Sequence, residues 1–266
     1  MKRRRGKRLQ AGFTLIELLT ALGIFLIVCG AAFTLLGASQ QRAKTESQVL
    51  TSFQEARLAL DQIVRDVNDS GYPPPSFSDG AAAHFASTPF AWSPNYTIPS
   101  PCAIGITCIT PADFDIIIET NPNPQDSPPQ VQWIRYQLQG TTLMRGMAPR
   151  LAGHDPAMDT APFLSPLVQN VVNNSSGAQI AQYQAIYPGM FPGANPVPIF
   201  SYTCDTPTAP QAQPPACPSA GADNIPANIR DVTVTLIVAA PVPDATTGQP
   251  RLVQLVGRGR RINPNR

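Results

Sequence analysis

Residues 13–38, FTLIELLTALGIFLIVCGAAFTLLGA, form an apolar run broken by one charge, Glu17. From Leu18 onward the run is long enough, as a helix, to cross a hydrocarbon core of about 30 Å. In the following stretch, 39–70, Val49, Phe53, Ala56, Leu60, Ile63 and Val67 recur at steps of four and three, the spacing of one helical face. Arg42, Lys44, Glu46, Glu55, Arg57, Asp61, Arg65 and Asp66 fall on the other faces. The spacing predicts one continuous helix, apolar all round at first and amphipathic afterwards, ended by Gly71 and by Pro73, Pro74 and Pro75. Over residues 13–69 it would extend roughly 85 Å at 1.5 Å per residue.

Beyond residue 70 the pattern shortens. All 30 prolines lie between Pro73 and Pro264, so the first 72 residues can be unbroken helix and the remainder mostly cannot. The strand candidates are 113–119 (DFDIIIE), 131–139 (VQWIRYQLQ), 142–145, 229–239 (IRDVTVTLIVA) and 252–256 (LVQLV), several of them alternating or β-branched. Gly140, between the second and third, suggests a hairpin. An antiparallel sheet needs cover for its apolar face, and the amphipathic half of the long helix is available for it. The expected class is α+β: a long amino-terminal spine helix, membrane-embedded and then amphipathic, packed on a mostly antiparallel β-sheet domain with long proline-rich loops. Its parts are residues 1–12, a basic leader; 13–70, the helix, with 13–38 apolar and 39–70 amphipathic; and 71–266, a β-rich domain.

Composition narrows the function classes. With 266 residues, 43% apolar and 14% charged, the chain suits one or two globular units and is neither collagenous nor multi-spanning. Its net charge of +2 hides a polarity, because six of the 19 Lys and Arg lie within the first eight residues. The rest holds 13 against 17 Asp and Glu, which excludes a broadly basic nucleic-acid binder. The basic flank before the apolar run keeps the amino terminus cytoplasmic under the positive-inside rule and sends everything after Ala38 outside. A cleaved secretory signal predicts a shorter apolar core and a small-residue cleavage site, and this run is too long for one.

Glu17 is the anomaly, since a carboxylate inside an apolar span needs a partner or a job. A short basic leader ending in Gly12, followed by Phe13-Thr14-Leu15-Ile16-Glu17-Leu18-Leu19, resembles the prepilin cleavage and methylation motif. That family comprises type IV pilins, minor pilins, competence pilins and type II secretion pseudopilins. The resemblance implies scission between Gly12 and Phe13 by a prepilin peptidase and N-methyltransferase, methylation of the new Phe13 amine, and retention of the apolar helix. It implies that Glu17 pairs with the first residue's amine of a neighbouring subunit. Where helices bundle without water, that pairing offsets two burial costs and sets the register. It further implies as partners other pilins or pseudopilins, contacted through the amino-terminal helix, an inner-membrane assembly platform, and membrane lipid before assembly. Residues 58–72, 131–145, 167–172 and 229–238, with the terminal LVQLVGRGRRINPNR, resemble the minor pilins of the PilW and GspJ type. Major pilins usually carry a proline in the apolar helix, and the absence of one here leans towards a minor subunit.

Of five cysteines, Cys29 lies in the span, where a thiol is a small hydrophobe. Cys102, Cys108, Cys204 and Cys217 fall in the exported portion, an even number in an oxidising compartment. Three pairings exist; the local ones, 102 with 108 and 204 with 217, are favoured because both flank proline-rich loops with little else to hold them. CAIGITC lacks a nearby His and the second pair is widely spaced, so no metal is expected. His154, Asp155 and Asp159 read as a solvated loop, and 257–261 (GRGRR) as a basic tail without phosphate-loop spacing. For that tail a subunit contact ranks ahead of nucleic acid. Asn95, Asn173 and Asn174 open glycosylation acceptor patterns to which no function is attached. Gly23, Gly30 and Gly37, seven apart, read as helix-packing positions.

The function expected is that of a minor pilin or pseudopilin in the assembly, priming or tip of a type IV pilus or type II secretion pseudopilus. It needs no cofactor and performs no reaction itself. Its place would be the bacterial inner membrane, single-pass with the large domain periplasmic or extracellular, and then the filament. The competing class is a singly anchored extracytoplasmic enzyme or binding domain never cut at Gly12.

Overall fold

The computed structural model describes residues 14–77, 80–96, 102–205, 216–217, 224–243 and 248–262. The chain divides into two compact units, residues 1–48 and 49–266. One helix, α1 (Leu15–Asn68), contributes to both. Its start is set by Thr14 and its end by Gly71, whose φ of 78° only glycine adopts without strain. The Gly71 amide then donates to the carbonyl of Glu119 at 2.8 Å, tying the helix exit to a strand.

In the first unit every large apolar side chain of α1 from Leu15 to Leu36 is exposed. In the second unit the same helix has a single buried face, made of Ala56, Ala59, Leu60, Ile63 and Val67. That is the stripe expected from the spacing from Ala56 onward, with Ala59 added, while Val49 and Phe53 at its start are only partly buried.

Two antiparallel sheets complete the second unit. One runs β1 (Phe90–Ala91), β2 (Asp115–Thr120), β3 (Gln132–Gln139), β4 (Thr142–Pro149), β5 (Ser165–Val168), in chain order. The other runs β6 (Phe200–Cys204), β7 (Ile229–Pro243), β8 (Pro250–Arg260). Gln139 pairs with Thr142, so β3 and β4 are joined by a two-residue turn with Gly140 at φ 60°, the hairpin position that favours glycine. Helix residues Ala56 to Val67 share one core with Ile116, Ile118, Ile134 and Tyr136 of the first sheet and Val232, Val234, Leu236 and Val238 of the second.

The opposite faces are covered as well. Helix α2 (Pro156–Thr160) packs Ala157 against Ala91, Ile117 and Trp133. Helix α3 (Gly177–Ile186) sets Ile180 and Tyr183 against Ile237, Ala239 and Leu252. Burial on both faces explains why β2 is buried at all six positions and shows no alternation.

Several expectations need correction. Two sheets stand where one was expected, because β6, β7 and β8 pair among themselves and form a sheet separate from β1 to β5. Residues 154–159 are not a solvated loop: Asp155 caps α2, accepting from Ala157 N at 2.9 Å, and takes a bond from Ser93 Oγ at 2.8 Å. The stretch read as a basic tail continues β8 as far as Arg260. There Gly257 and Gly259 face α1, and a Cβ at 259 would stand 2.5 Å from Val67 Cγ1. Asp66 is not on a solvated face; it is buried under β3 and β4. Asn173 is fully buried, its amide donating to the carbonyls of Val197 and Thr235 at 3.0 and 2.9 Å and its Oδ1 accepting from Ile237 N at 2.7 Å, which closes it as a glycan acceptor. Helix α3 was missed although Ser176 and Gln179 form a capping box at its start, a signal readable in the sequence.

The close approach of α1 to β8 has a measurable cost if filled. Gly259→Ala is expected to destabilise the domain by about 1–3 kcal/mol through overpacking against Val67. Chemical denaturation of the full chain in detergent reads this, and an unchanged midpoint would contradict the close approach.

Candidate functional site

The site that the sequence singles out begins at the amino terminus. Gly12 and Phe13 lie outside the described residues. From Thr14 onward the geometry is defined. Thr14 N and Thr14 Oγ1 both donate to Glu17 Oε2, at 3.0 and 2.9 Å, and Glu17 N donates back to Thr14 Oγ1 at 3.4 Å. This is a capping box, in which a Thr and a Glu three positions apart satisfy each other's backbone amides at a helix start. Glu17 also places its charge in the first turn, where the helix dipole favours an anion. Thr14 was read only as part of the motif. Its capping role was visible as T-x-x-E.

Above this cap the helix is apolar and uncovered. Ile16 is 66% exposed, Ile27 73% and Leu35 75%. By length and composition the helix can cross a membrane, and none of the qualifying segment is buried within the chain. Gly23, Gly30 and Gly37 meet nothing within 4 Å where a Cβ would be. Their lack of a side chain answers no need of the chain's own fold, although each costs helix stability relative to Ala. Cys29, a free thiol, is partly exposed on the same segment.

In the second unit the chemistry-bearing groups are bound to one another. Glu119 is fully buried and accepts from Ser87 N and Tyr96 Oη, both at 2.5 Å, and from Trp133 Nε1 at 3.1 Å, with Arg150 Nε at 3.0 Å as its counter-charge. Asp115 holds Arg135 through two bonds of 3.0 and 2.6 Å. Asp66, on α1, accepts from Tyr136 Oη at 2.6 Å and from Arg145 at 3.2 Å. Burial pushes the Glu119 and Asp115 carboxyls upward, against the opposing pull of Arg150 and Arg135. The Tyr96 and Tyr136 phenols are pushed well above their ordinary range by burial first, and by Glu119 and Asp66 second.

These constellations act as ties between strands and loops. Arg150 joins Glu119 to the 85–87 segment through Phe85 O and Ser87 Oγ. His154 and Asp159 meet at 3.1 Å at the surface. Among the described residues no three His, Cys, Asp or Glu are grouped as a metal would require.

The four cysteines of the second unit are joined as Cys102–Cys108 and Cys204–Cys217. The first closes a loop whose Ile104 carbonyl accepts from Asn224 at 2.9 Å. The second holds Ala216 beside Thr203 on the outer edge of β6.

Two outcomes follow from the buried ties. Glu119→Ala leaves Arg150 and three other donors facing an empty site and is expected to cost about 3–5 kcal/mol, read by denaturation of the full chain in detergent. The raised phenols favour the neutral form in the fold. Their contribution is therefore complete below the unfolded tyrosine value near pH ~10 and is lost as pH rises above it. An alkaline titration should show phenolate absorbance from Tyr96 and Tyr136 only together with loss of the β-sheet circular dichroism; ionisation of both in the folded chain near pH ~10 would contradict the burial.

The family model described as the prokaryotic N-terminal methylation motif matches residues 7–35. No curated protein and no solved structure matches this chain. The match covers Lys7 and Arg8 of the basic flank, Gly12, Phe13, the Thr14–Glu17 cap and the uncovered apolar helix up to Leu35. That matched segment, together with the uncovered apolar helix it opens, supports a type IV prepilin-like family.

Proposed function

We propose that the chain is a minor pilin or pseudopilin subunit, cut between Gly12 and Phe13 by a prepilin peptidase, methylated at the new Phe13 amine, and assembled through α1 into a filament. The observation that carries this reading is the first part of α1, Leu15 to Leu36, whose large apolar side chains are all uncovered and which is opened by a carboxylate in its first turn under a methylation-motif match. A bundle of such helices buries the apolar surface that the chain itself leaves bare. Gly23, Gly30 and Gly37 then serve as points of close approach between neighbouring helices.

Glu17 has a second task in this reading. Its Oε2 already accepts two bonds from Thr14, while Oε1 takes part in none of the bonds that join Glu17 to the cap. A neighbour's amine arriving at that carboxylate adds a counter-charge without dismantling the cap, and an incoming helix at the wrong height leaves both charges unmatched. Before assembly the helix anchors the chain in the inner membrane, with the second unit on the far side from the basic leader. The role is structural; the chemistry belongs to the peptidase, the methyltransferase and an assembly platform that extracts the subunit from lipid. The large domain, with its proline-rich loops, suits a low-copy priming or tip position.

Amino-terminal sequencing and mass analysis of the mature chain test the processing. The expected product begins with methylated Phe13; an intact Met1, or cleavage beyond Ala38, sinks the reading in favour of a tethered exodomain. Glu17→Ala should still insert and be cut, yet its incorporation into sheared filaments should fall by about tenfold or more, as for the loss of a charge-assisted bond. Normal incorporation of that variant would remove the pairing role.

A further inference from the structure

A cleft of about 240 Å³ opens between the β3–β4 turn, α3 and the end of β7. It exists because the β7–β8 ladder slips there. Ala239 pairs with Leu252 and Pro243 with Pro250, so three residues of β7, 240–242, stand against Arg251 alone. The opposite wall is the segment after β5, which is fixed by backbone bonds: Val171 N donates to Thr141 O at 2.8 Å, Ala239 N to Asn170 O at 2.8 Å and Val172 N to Ile237 O at 2.9 Å.

The lining is neutral. Val172, Ala240 and the rings of Pro241, Pro243 and Pro250 supply apolar walls, and no charged side chain takes part. Thr141, Asn170 and Tyr183 add polar groups. Tyr183 is 8% exposed, with its ring stacked on Phe191 at 5.8 Å. Its hydroxyl has no partner among the described residues and is not one of the enclosed polar atoms, so the hydroxyl is the part of the residue that reaches the cleft. A buried phenol normally has a partner for that group. The Asn170 carboxamide is also without a partner among the described residues, and its backbone holds φ 59°, which asparagine tolerates better than most residues.

We propose that this cleft binds a neutral phenol ring, in the form in which a polypeptide carries a tyrosine side chain. Three features select that occupant. A cavity of about 150 Å³ takes one benzene ring, so the volume suits a single ring with its substituent and is too small for a strand or an oligosaccharide. A lining without charge leaves the desolvation cost of an ionic ligand uncompensated. Proline C–H groups beside the amide nitrogen carry partial positive charge, which complements the negative face of an aromatic ring, the match by which proline-rich segments dock in aromatic grooves. A saturated ring or an aliphatic chain gains burial alone. The Tyr183 hydroxyl and the Asn170 carboxamide then supply hydrogen bonds to the phenol oxygen. None of this depends on the filament reading.

The test titrates N-acetyltyrosinamide into the full chain in detergent and follows saturation transfer from the protein to the ring protons of the ligand, with protein-free micelles as the blank. Saturable binding with Kd on the order of 1 mM is expected for one ring and two hydrogen bonds. Tyr183→Phe keeps the ring on Phe191 and removes the hydroxyl, while Asn170→Gly removes the carboxamide at a φ that glycine adopts freely. Each should weaken binding about five- to tenfold, the effect of one lost hydrogen bond, with both disulfides and the β-sheet circular dichroism unchanged. On the unsubstituted chain N-acetylleucinamide and methyl glucoside, which lack an aromatic face, should bind at least about fivefold more weakly, and free tyrosine, with its two charges, should do the same. No saturable binding, equal binding of the leucine analogue or the glucoside, or an affinity untouched in both variants overturns the proposal. Free tyrosine bound as tightly as the amide overturns the polypeptide-borne form of the ligand.

Discussion

The burial of one face of α1, from Ala56 to Val67, is the contact on which the rest of the second unit depends. Both sheets contribute side chains to the core around that face. The local chemistry of several distant segments is arranged for this contact. Gly257 and Gly259 remove side chains from β8 where Val64 and Val67 approach. Asp66, one residue before Val67, is accepted into the interior because Tyr136 and Arg145 supply donors from two different strands. Gly71 ends the helix and passes its amide to β2. The helix is thus fastened by apolar packing along its face, one buried charge and one backbone bond at its exit.

The same helix meets opposite demands before residue 49, where its apolar side chains face outward all round. A segment of that kind is stable only in lipid or against other helices, because exposed apolar surface on this scale is unfavourable in water. The capping box at Thr14 and Glu17 solves a separate problem, since the first amides of a helix have no partner within it and lipid supplies none. A carboxylate that would otherwise burden an apolar span is given its first duty by the chain's own backbone.

Buried polar groups elsewhere in the second unit substitute for regular structure. Long proline-rich connections cannot supply ladder bonds of their own, and the loops before β2 and after β4 are held instead by Glu119 with its four donors and by Asp155 bonded to Ser93. The two disulfides add Cys102–Cys108 and Cys204–Cys217 as covalent ties. The interior charges of Glu119, Asp115 and Asp66 are consumed by holding the fold.

Much of this was legible in the residues alone. The periodic stripe of α1, its end at Gly71, the β3–β4 hairpin and the α+β class follow from local patterns, because a helical face, a glycine turn and a β-branched run are each properties of neighbours in the chain. The T-x-x-E and S-x-x-Q caps were equally local, although they went unread. What only the tertiary structure decided are the outcomes that depend on residues far apart in sequence: the split into two sheets and the burial of Asp66 and Asn173. A polar residue's burial is set by whether a distant strand brings it a donor. That is not encoded in the spacing of residues along one segment, so the amino-terminal motif could be read directly while the burial of Asp66 and Asn173 could not.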